Sequence, residues 1–154
     1  MKQDELRRLQ KIVEVLRSEK GCPWDREQTH ESLKPACIEE AAEVLAGIDI
    51  LSATGKAENL KEELGDLLLQ VVFHARLAEE AGLFNLDDVA KTVSDKMERR
   101  HPHVFAGAAV ESVDWEAIKK SEKAGREWEE EYLPGAFRQA EALIAKARER
   151  KGLH

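Results

Sequence analysis

The chain of 154 residues is long enough for one ordinary domain with its own core and too short for two comfortable ones. Charged residues make up 36% of the sequence and aromatic residues only 5%, and helix formers such as Ala, Glu, Leu, Lys and Arg dominate, which predicts an all-α protein. The net charge of -7 leaves no overall positive field for the phosphates of a nucleic acid polymer or of a membrane surface, so both are excluded as partners.

The N-terminal segment "MKQDELRRLQ" is charged throughout, and the longest apolar runs of the chain are only a few residues. Neither a signal peptide nor a membrane-spanning helix has this pattern, so we expect a soluble, cytoplasmic protein. Cys22 and Cys37 have neither a CxxC spacing nor the density of a disulfide scaffold. Both are expected to be reduced and partly buried thiols.

Apolar residues recur at helical spacing in six stretches, separated by polar breaks. In chain order the predicted helices are 3–18, 33–52, 59–81, a stretch from the cap Asn85 to "KMERR", 113–131 and 136–150. Ser32 is the predicted N-cap of the second helix, and Pro35 falls in its first turn, where a missing N–H is harmless. The segments "GCPWDREQTHES", "HPHVFAGAAVES" and "LPG" are predicted to interrupt the helices.

The second predicted helix contains a group of acids in the stretch "IEEAAEVL". At about 100° per residue, Glu39, Glu40 and Glu43 fall within one arc of roughly 100°, next to the apolar face of the helix. Two or three acids on a helix face often form a solvated surface with ion-pair partners. For this helix alone, that alternative stays open.

The third predicted helix makes a solvated acidic face harder to explain. Its stretch "LGDLLLQVVF" is apolar nearly all round, which predicts a helix surrounded by protein. Glu63 and Asp66 form a narrow polar stripe on it that Gln70 extends, whereas Glu62 points elsewhere. Burying bare carboxylates is costly unless a counter-charge accompanies them, and Lys and Arg are scarce on these two helix faces.

Two acidic stripes on neighbouring antiparallel helices would repel each other unless divalent cations lie between them. A di-iron site is disfavoured, because neither helix has a His three residues after a Glu. Ligand sets made only of oxygen favour Mg²⁺ or Mn²⁺, and such ions usually share a phosphate with the protein. The sequence therefore predicts a site for Mg²⁺ or Mn²⁺ and a substrate that carries phosphates.

The pattern EExxE followed by ExxD resembles the all-α nucleoside triphosphate pyrophosphohydrolase superfamily. The flanking blocks "GCPWDREQTHESLKP", "EELGDLLLQVVFHA" and "SDKMERRHPHVF" look like those of the MazG family. This resemblance implies a four-helix-bundle-like MazG domain over residues 1–120, with a helical extension over 121–154. It also implies a homodimer, and an apolar surplus on the third helix is consistent with one.

The resemblance further implies cleavage of nucleoside triphosphates to a monophosphate and pyrophosphate with Mg²⁺, or with Mn²⁺ as a substitute, to cleanse the nucleotide pool. Carried onto this sequence, the metal ligands are Glu40, Glu43, Glu63 and Asp66. Glu39 and Glu40 are the expected catalytic residues. Glu39 would ligate a further ion or orient the attacking water.

Four residues outside the acidic helices are expected to bind substrate. Lys96 and Arg100 lie four apart on one helix face and are expected to grip the β and γ phosphates. Their alternative role is to complement the C-terminal end of the helix dipole. Trp24 is expected to stack on a base and His30 to hydrogen-bond a base or phosphate, with structural roles as the alternative.

The tail "LPGAFRQAEALIAKARERKGLH" contains no second EExxE. It is predicted to be a connector toward a second domain or a closing helix that covers the dimer. Its charged, low-aromatic helices also support a competing hypothesis, in which the chain is a regulatory module that binds nucleotide or protein with little or no turnover. A purely structural bundle, the third possibility, would melt independently of divalent ions.

Overall fold

The computed structural model describes residues 4–153 and contains only helices, turns and loops in that range. The α-helices are α1 (Glu5–Leu16), α2 (Pro23–Glu27), α3 (Lys34–Thr54), α4 (Glu58–Glu80), α5 (Leu86–Arg100), α6 (Pro102–Phe105), α7 (Trp115–Lys123) and α8 (Leu133–Arg150). Two 3-10 helices, Val110–Ser112 and Glu127–Tyr132, flank α7. The predicted all-α class is confirmed, and no helix of the described residues is long and apolar enough to cross a membrane.

The chain divides into two compact units. The first unit comprises Met1–Leu86 and Ala140–His154, and the second comprises Asp87–Gln139. In the first unit α4 supplies most of the buried side chains, which are Val72, Phe73, Ala75, Leu77 and Ala78. The predicted division of the chain at residue 120 is not tested by these units and stays a prediction.

A tight hairpin joins α3 to α4 and brings the two acidic segments together. Gly55 has a φ of 74°, and its N–H donates to the carbonyl of Leu51 at 2.8 Å, which closes α3 in the left-handed conformation that Gly tolerates. Near the same end, Gly47 is buried against α4, where an added Cβ would lie 2.8 Å from Leu60 Cα. The absence of a side chain at Gly47 therefore allows the close approach of the two helices.

Gly47→Ala is expected to lower the free energy of unfolding by about 1 to 3 kcal/mol. The added methyl group would clash with the backbone of Leu60, so α3 and α4 would have to move apart. Gly65→Ala is the matched control on α4, since its added methyl meets nothing within 4 Å of the chain and improves helix propensity by up to about 1 kcal/mol. Urea denaturation of both variants measures the difference. Equal destabilisation of the two would contradict the close approach at Gly47.

The early helices lie close to their predicted positions, with one correction at a helix end. Helices α1, α3 and α4 begin and end within two residues of the predicted ranges, although residue 3 lies outside the described part. Pro35 is in the first turn of α3, as predicted. The N-cap prediction was wrong, because Leu33 occupies that position without a side-chain cap and the Ser32 hydroxyl instead accepts from the Thr29 N–H at 2.8 Å.

The helices after residue 110 differ from the prediction. The single helix predicted for 113–131 was wrong, since α7 ends at Lys123 and Gly125, with a φ of 81°, turns the chain. The predicted break at "LPG" was also wrong. α8 begins at Leu133, and Pro134 sits in its first turn, where a helix needs no N–H donor.

The prediction that α4 is surrounded by protein was wrong for the single chain. Leu68 is 41% exposed and Leu45, on α3, is 64% exposed. We call the exposed apolar side chains Leu45, Ile48 and Leu51 of α3 and Leu64, Leu68 and Val71 of α4 the apolar stripes. The sequence periodicity identified an apolar helix but not what covers it.

In the second unit, α5 and α7 are linked by a carboxylate with two cationic partners. Glu122 accepts from Arg100 Nε at 2.8 Å and from Arg99 Nη2 at 3.1 Å. The hydrogen bond from Arg100 and, to a smaller extent, that from Arg99 lower the pKa of Glu122 from its ordinary value of 4.5 to about 2. The folded state therefore holds this carboxylate in its charged form.

Because the pKa of Glu122 is lower in the folded state, its contribution to stability is present above pH 4.5 and is lost as the pH falls toward 2. Glu122→Gln is expected to reduce stability at neutral pH and to flatten its dependence on pH in this window. Tryptophan fluorescence during urea unfolding at several pH values measures both effects. Glu116→Gln, an exposed partner of Lys119 on the same helix, is the control, and an unaltered pH profile in Glu122→Gln would refute the linkage.

Candidate metal centre

Four carboxylates converge across the α3–α4 hairpin. Glu40 and Glu43 come from α3, and Glu63 and Asp66 come from α4. One oxygen atom from each of the four lies within 4.8 Å of the others, and all four residues are partly buried. We call this group the carboxylate cluster. It brings together the four predicted metal ligands.

Local helix geometry and one close helix contact explain this convergence. Residues three apart lie on the same side of a helix, so each pair presents its two carboxylates in one direction. The tight turn after Gly55 makes α3 and α4 antiparallel neighbours, and Gly47 keeps their backbones close. The two pairs consequently face each other across the hairpin.

Burial and, secondarily, mutual repulsion shift the pKa values of the carboxylate cluster. Burial raises the pKa of Glu40 to about 7, with further contributions from its hydrogen bond with Glu43 and from the charges of Glu43, Asp66 and Glu63. Burial and the charge of Glu43 also raise the pKa of Glu63. The hydrogen bond from Lys151, in contrast, lowers the pKa of Glu43. Near neutral pH, a proton on Glu40 relieves part of the repulsion, as a bound cation would.

The donor atoms fit a hard divalent cation. All four side chains offer only oxygen, which is the ligand type that Mg²⁺ and Mn²⁺ prefer. In addition, Glu40 Oε2 is buried and has no hydrogen-bond partner among the described residues. A buried acceptor without a partner is costly, and a cation at this position would satisfy it.

Glu39 lies beside the carboxylate cluster but is not part of it. It accepts a hydrogen bond from Arg150 Nη2 at 2.8 Å. Glu39 and Arg150 also line an open cavity of about 430 Å³, together with the apolar Leu33 and Phe73 and the polar Gln70. The cavity therefore adjoins the acidic face of α3 and combines apolar with polar walls.

Sequence reasoning missed the two cations at this site. Arg150 pairs with Glu39, and Lys151 Nζ donates to Glu43 Oε1 at 2.9 Å. Lys and Arg are scarce on the acidic faces of α3 and α4 themselves, but Arg150, the last residue of α8, and Lys151, which follows it, supply two cations. The basic ending "ARERKG" was the available signal, although nothing in its spacing identifies the acids that it meets.

His30 forms part of a cluster of polar side chains with His74 and Cys37. The Nδ1 atoms of His30 and His74 lie 2.7 Å apart, and His74 Nε2 lies 3.3 Å from Cys37 Sγ. Trp24 is largely exposed on α2. Cys22 and Cys37 are free, partly buried thiols, as expected. The predicted contacts of Trp24 and His30 with a substrate stay predictions.

Lys96 and Arg100 belong to the second unit. Lys96 lines a cavity of about 900 Å³ between α5 and α7, together with Arg99 and Glu122. Arg100 is engaged by Glu122, so it would have to exchange this partner to bind a phosphate. Their predicted role in gripping phosphates stays a prediction.

Comparison with known proteins identifies the family. A model of the MazG nucleotide pyrophosphohydrolase domain matches residues 28–105. The chain is 53% identical over 113 residues to the nucleoside triphosphate pyrophosphohydrolase/pyrophosphatase MazG of Thermotoga maritima, which covers 73% of this chain and 43% of that protein. It is 46% identical over 127 residues to the nucleoside triphosphate pyrophosphohydrolase of Escherichia coli strain K12, covering 79% of this chain and 47% of that protein.

A relative named nucleoside triphosphate pyrophosphohydrolase in Mycobacterium tuberculosis is 48% identical over 108 residues, covering 66% of this chain and 32% of that protein. The chain thus spans less than half the length of these relatives. The family model nevertheless covers more than half of the chain and includes the whole carboxylate cluster. The predicted resemblance is confirmed, and this chain belongs to the MazG nucleotide pyrophosphohydrolase family.

Proposed function

We propose that the chain hydrolyses nucleoside triphosphates to a nucleoside monophosphate and pyrophosphate, with Mg²⁺ or Mn²⁺ as the metal ion. The observation that carries this proposal is the carboxylate cluster, in which four oxygen ligands from α3 and α4 lie within 4.8 Å of one another. The names of the MazG relatives support the reaction type. Removal of unwanted triphosphates from the nucleotide pool is the proposed cellular use.

In this reaction the oxygen of a water molecule bonds to the α phosphorus, and the bond from that phosphorus to the bridging oxygen breaks as pyrophosphate leaves. Glu40, Glu43, Glu63 and Asp66 would hold the metal ion. When bound, the ion supplies positive charge to the phosphates and lowers the pKa of water. Glu39, which lies beside the cluster, is proposed to accept a hydrogen bond from the attacking water and so to orient it.

The test is an assay of pyrophosphate and monophosphate release from a panel of canonical and modified triphosphates, with Mg²⁺, with Mn²⁺ and with excess chelator. We expect both products in equal amounts and no release in chelator. Release of a diphosphate and inorganic phosphate would contradict the proposed bond cleavage. Nucleotide binding by calorimetry at saturating Mg²⁺ without any release would favour the regulatory module instead.

We also propose that the chain forms a homodimer through the apolar stripes of α3 and α4, and that the four-helix-bundle-like arrangement belongs to this assembly. The apolar stripes comprise six large exposed side chains on these two helices, and large exposed apolar surfaces mark sites of interaction. A second copy of the chain carries the same stripes, so an isologous contact would bury both sets at once.

Leu68→Glu is expected to shift the chain from dimer to monomer, because it would bury a charge in the centre of the proposed interface. Light scattering coupled to size exclusion measures the mass. Leu83→Glu, at an exposed leucine after α4 and outside the apolar stripes, is the matched control and should keep the mass of the parent protein. A monomeric parent protein at micromolar concentration would refute the homodimer.

A further inference from the structure

The end of α8 delivers two cations to the acidic face of α3. Arg150 Nη2 lies 2.8 Å from Glu39 Oε1, and Lys151 Nζ lies 2.9 Å from Glu43 Oε1. Both cations lie outside residues 28–105, the part of the chain that the family model matches. They therefore add charge to the candidate metal centre from a segment outside the matched domain.

The backbone that carries these cations is well anchored. Ala147, one turn before Lys151, is buried in the first unit, and its carbonyl accepts the Lys151 N–H at 3.0 Å. Gly152, with a φ of 66°, ends the helix in the left-handed conformation, and the Leu153 N–H closes back onto the Arg148 carbonyl at 2.9 Å. These main-chain hydrogen bonds thus fix the backbone positions of Arg150 and Lys151.

The side chains themselves can change partners. The side chain of Arg150 is 59% exposed and that of Lys151 is 42% exposed. The cations are the more exposed members of these pairs, since Glu39 is 19% and Glu43 36% exposed. An exposed cation that exchanges one anionic partner for another loses little stabilisation. Each cation reaches several ångströms along a flexible stem, which allows it to follow a ligand that enters beside the cluster.

The position of Arg150 indicates which ligand it would meet. Arg150 lines the cavity of about 430 Å³ together with Glu39, Gln70 and Phe73. A ligand could place an apolar or planar group in this cavity and an anionic group at the carboxylate cluster. Such a ligand would lie close to Arg150. Nucleotides have this combination of groups, and guanidinium and ammonium groups bind phosphate oxygens strongly.

Charge balance supports the same assignment. A nucleoside triphosphate brings several negative charges to a site that already holds four carboxylates. Once Glu43 ligates a metal ion, its charge is neutralised and Lys151 loses its present partner. Lys151 is then a positive charge without a local counter-ion next to the phosphates of the substrate, and Arg150, whose partner Glu39 is not a metal ligand, lies beside it.

We propose that Arg150 and Lys151 are substrate-binding residues that exchange Glu39 and Glu43 for phosphate oxygens when nucleotide and metal ion occupy the site. This inference rests on the proposed function, since it names further residues of the same site. The competing role, in which the two cations only neutralise the acids and oppose metal binding, makes different predictions for metal affinity and for phosphate affinity.

The test uses Arg150→Ala, Lys151→Ala and the double variant in the full chain, with Arg148→Ala as the matched control. Arg148 is an exposed cation in the same turn of α8, on another side of the helix. Steady-state kinetics at saturating Mg²⁺ should show KM raised about tenfold for each charge removed and kcat changed by less than about twofold. Arg150→Lys should recover part of the loss, and Arg148→Ala should match the parent protein.

Calorimetry supplies a readout that does not depend on turnover. Inorganic pyrophosphate, titrated into the protein with Mn²⁺ present, should bind the double variant about a hundredfold more weakly, while Mn²⁺ alone should bind at least as tightly as to the parent protein. Unchanged pyrophosphate affinity would overturn the inference, as would tighter Mn²⁺ binding with an unchanged KM. If the parent protein releases no pyrophosphate from any triphosphate, the proposed function fails, and the pyrophosphate titration still tests Arg150 and Lys151.

Discussion

Asp66→Asn is expected to lower kcat/KM for triphosphate hydrolysis by a factor on the order of a thousand. The substitution keeps the size of the side chain but removes one of the four charges of the carboxylate cluster. A neutral amide binds a hard cation more weakly, so we also expect at least about a tenfold loss of Mn²⁺ affinity in calorimetry. The kinetic measurement is pyrophosphate release at low substrate concentration with saturating Mg²⁺.

The matched control for this variant is Glu62→Gln. Glu62 is exposed on α4 and neighbours Glu63, but it lies outside the carboxylate cluster. The Glu62→Gln variant loses the same charge as Asp66→Asn but keeps all four proposed ligands. Its kcat/KM and Mn²⁺ affinity should therefore stay within about twofold of the parent values. Equal effects in Asp66→Asn and Glu62→Gln would mean that overall charge, and not metal ligation, determines the activity.

Arg17→Met is expected to lower the free energy of unfolding by about 3 kcal/mol, the largest stability effect that we predict. The Arg17 side chain is only 11% exposed and pairs with Glu80 at 2.7 Å. It also donates to the main-chain carbonyls of Asp25 and Gln28 and lies over the ring of Phe73. Methionine preserves most of the volume but removes the guanidinium that a carboxylate and two main-chain carbonyls share as a donor.

Arg8→Met is the control for the removal of an arginine. Arg8 pairs with Glu5 on the surface of α1, and both side chains are well exposed. Such pairs contribute at most about 1 kcal/mol, so the variant should unfold close to the parent protein. Urea denaturation followed by far-ultraviolet circular dichroism, which reports helix content, compares the two variants. Similar midpoints for Arg17→Met and Arg8→Met would show that the network around Arg17 adds nothing to stability.

The sequence alone determined the helices that carry the site and the carboxylates that share a face. α3 and α4 begin and end within two residues of their predicted limits, because apolar spacing and local breaks such as Gly55 act over a few residues. The same short-range geometry pairs Glu40 with Glu43 and Glu63 with Asp66. Where local signals were weaker, around Gly125 and Pro134, the predicted helix limits failed.

Only the tertiary structure decided what these faces meet. Arg150 and Glu39 are separated by 111 positions in the chain, and no periodicity within one helix predicts that they pair. The exposure of Leu68 likewise could not be predicted from the sequence. An apolar helix has the same sequence pattern whether its own chain or a second copy covers it. Helical spacing specifies the direction of side chains on one element, whereas the packing of distant elements decides which charges and surfaces become neighbours.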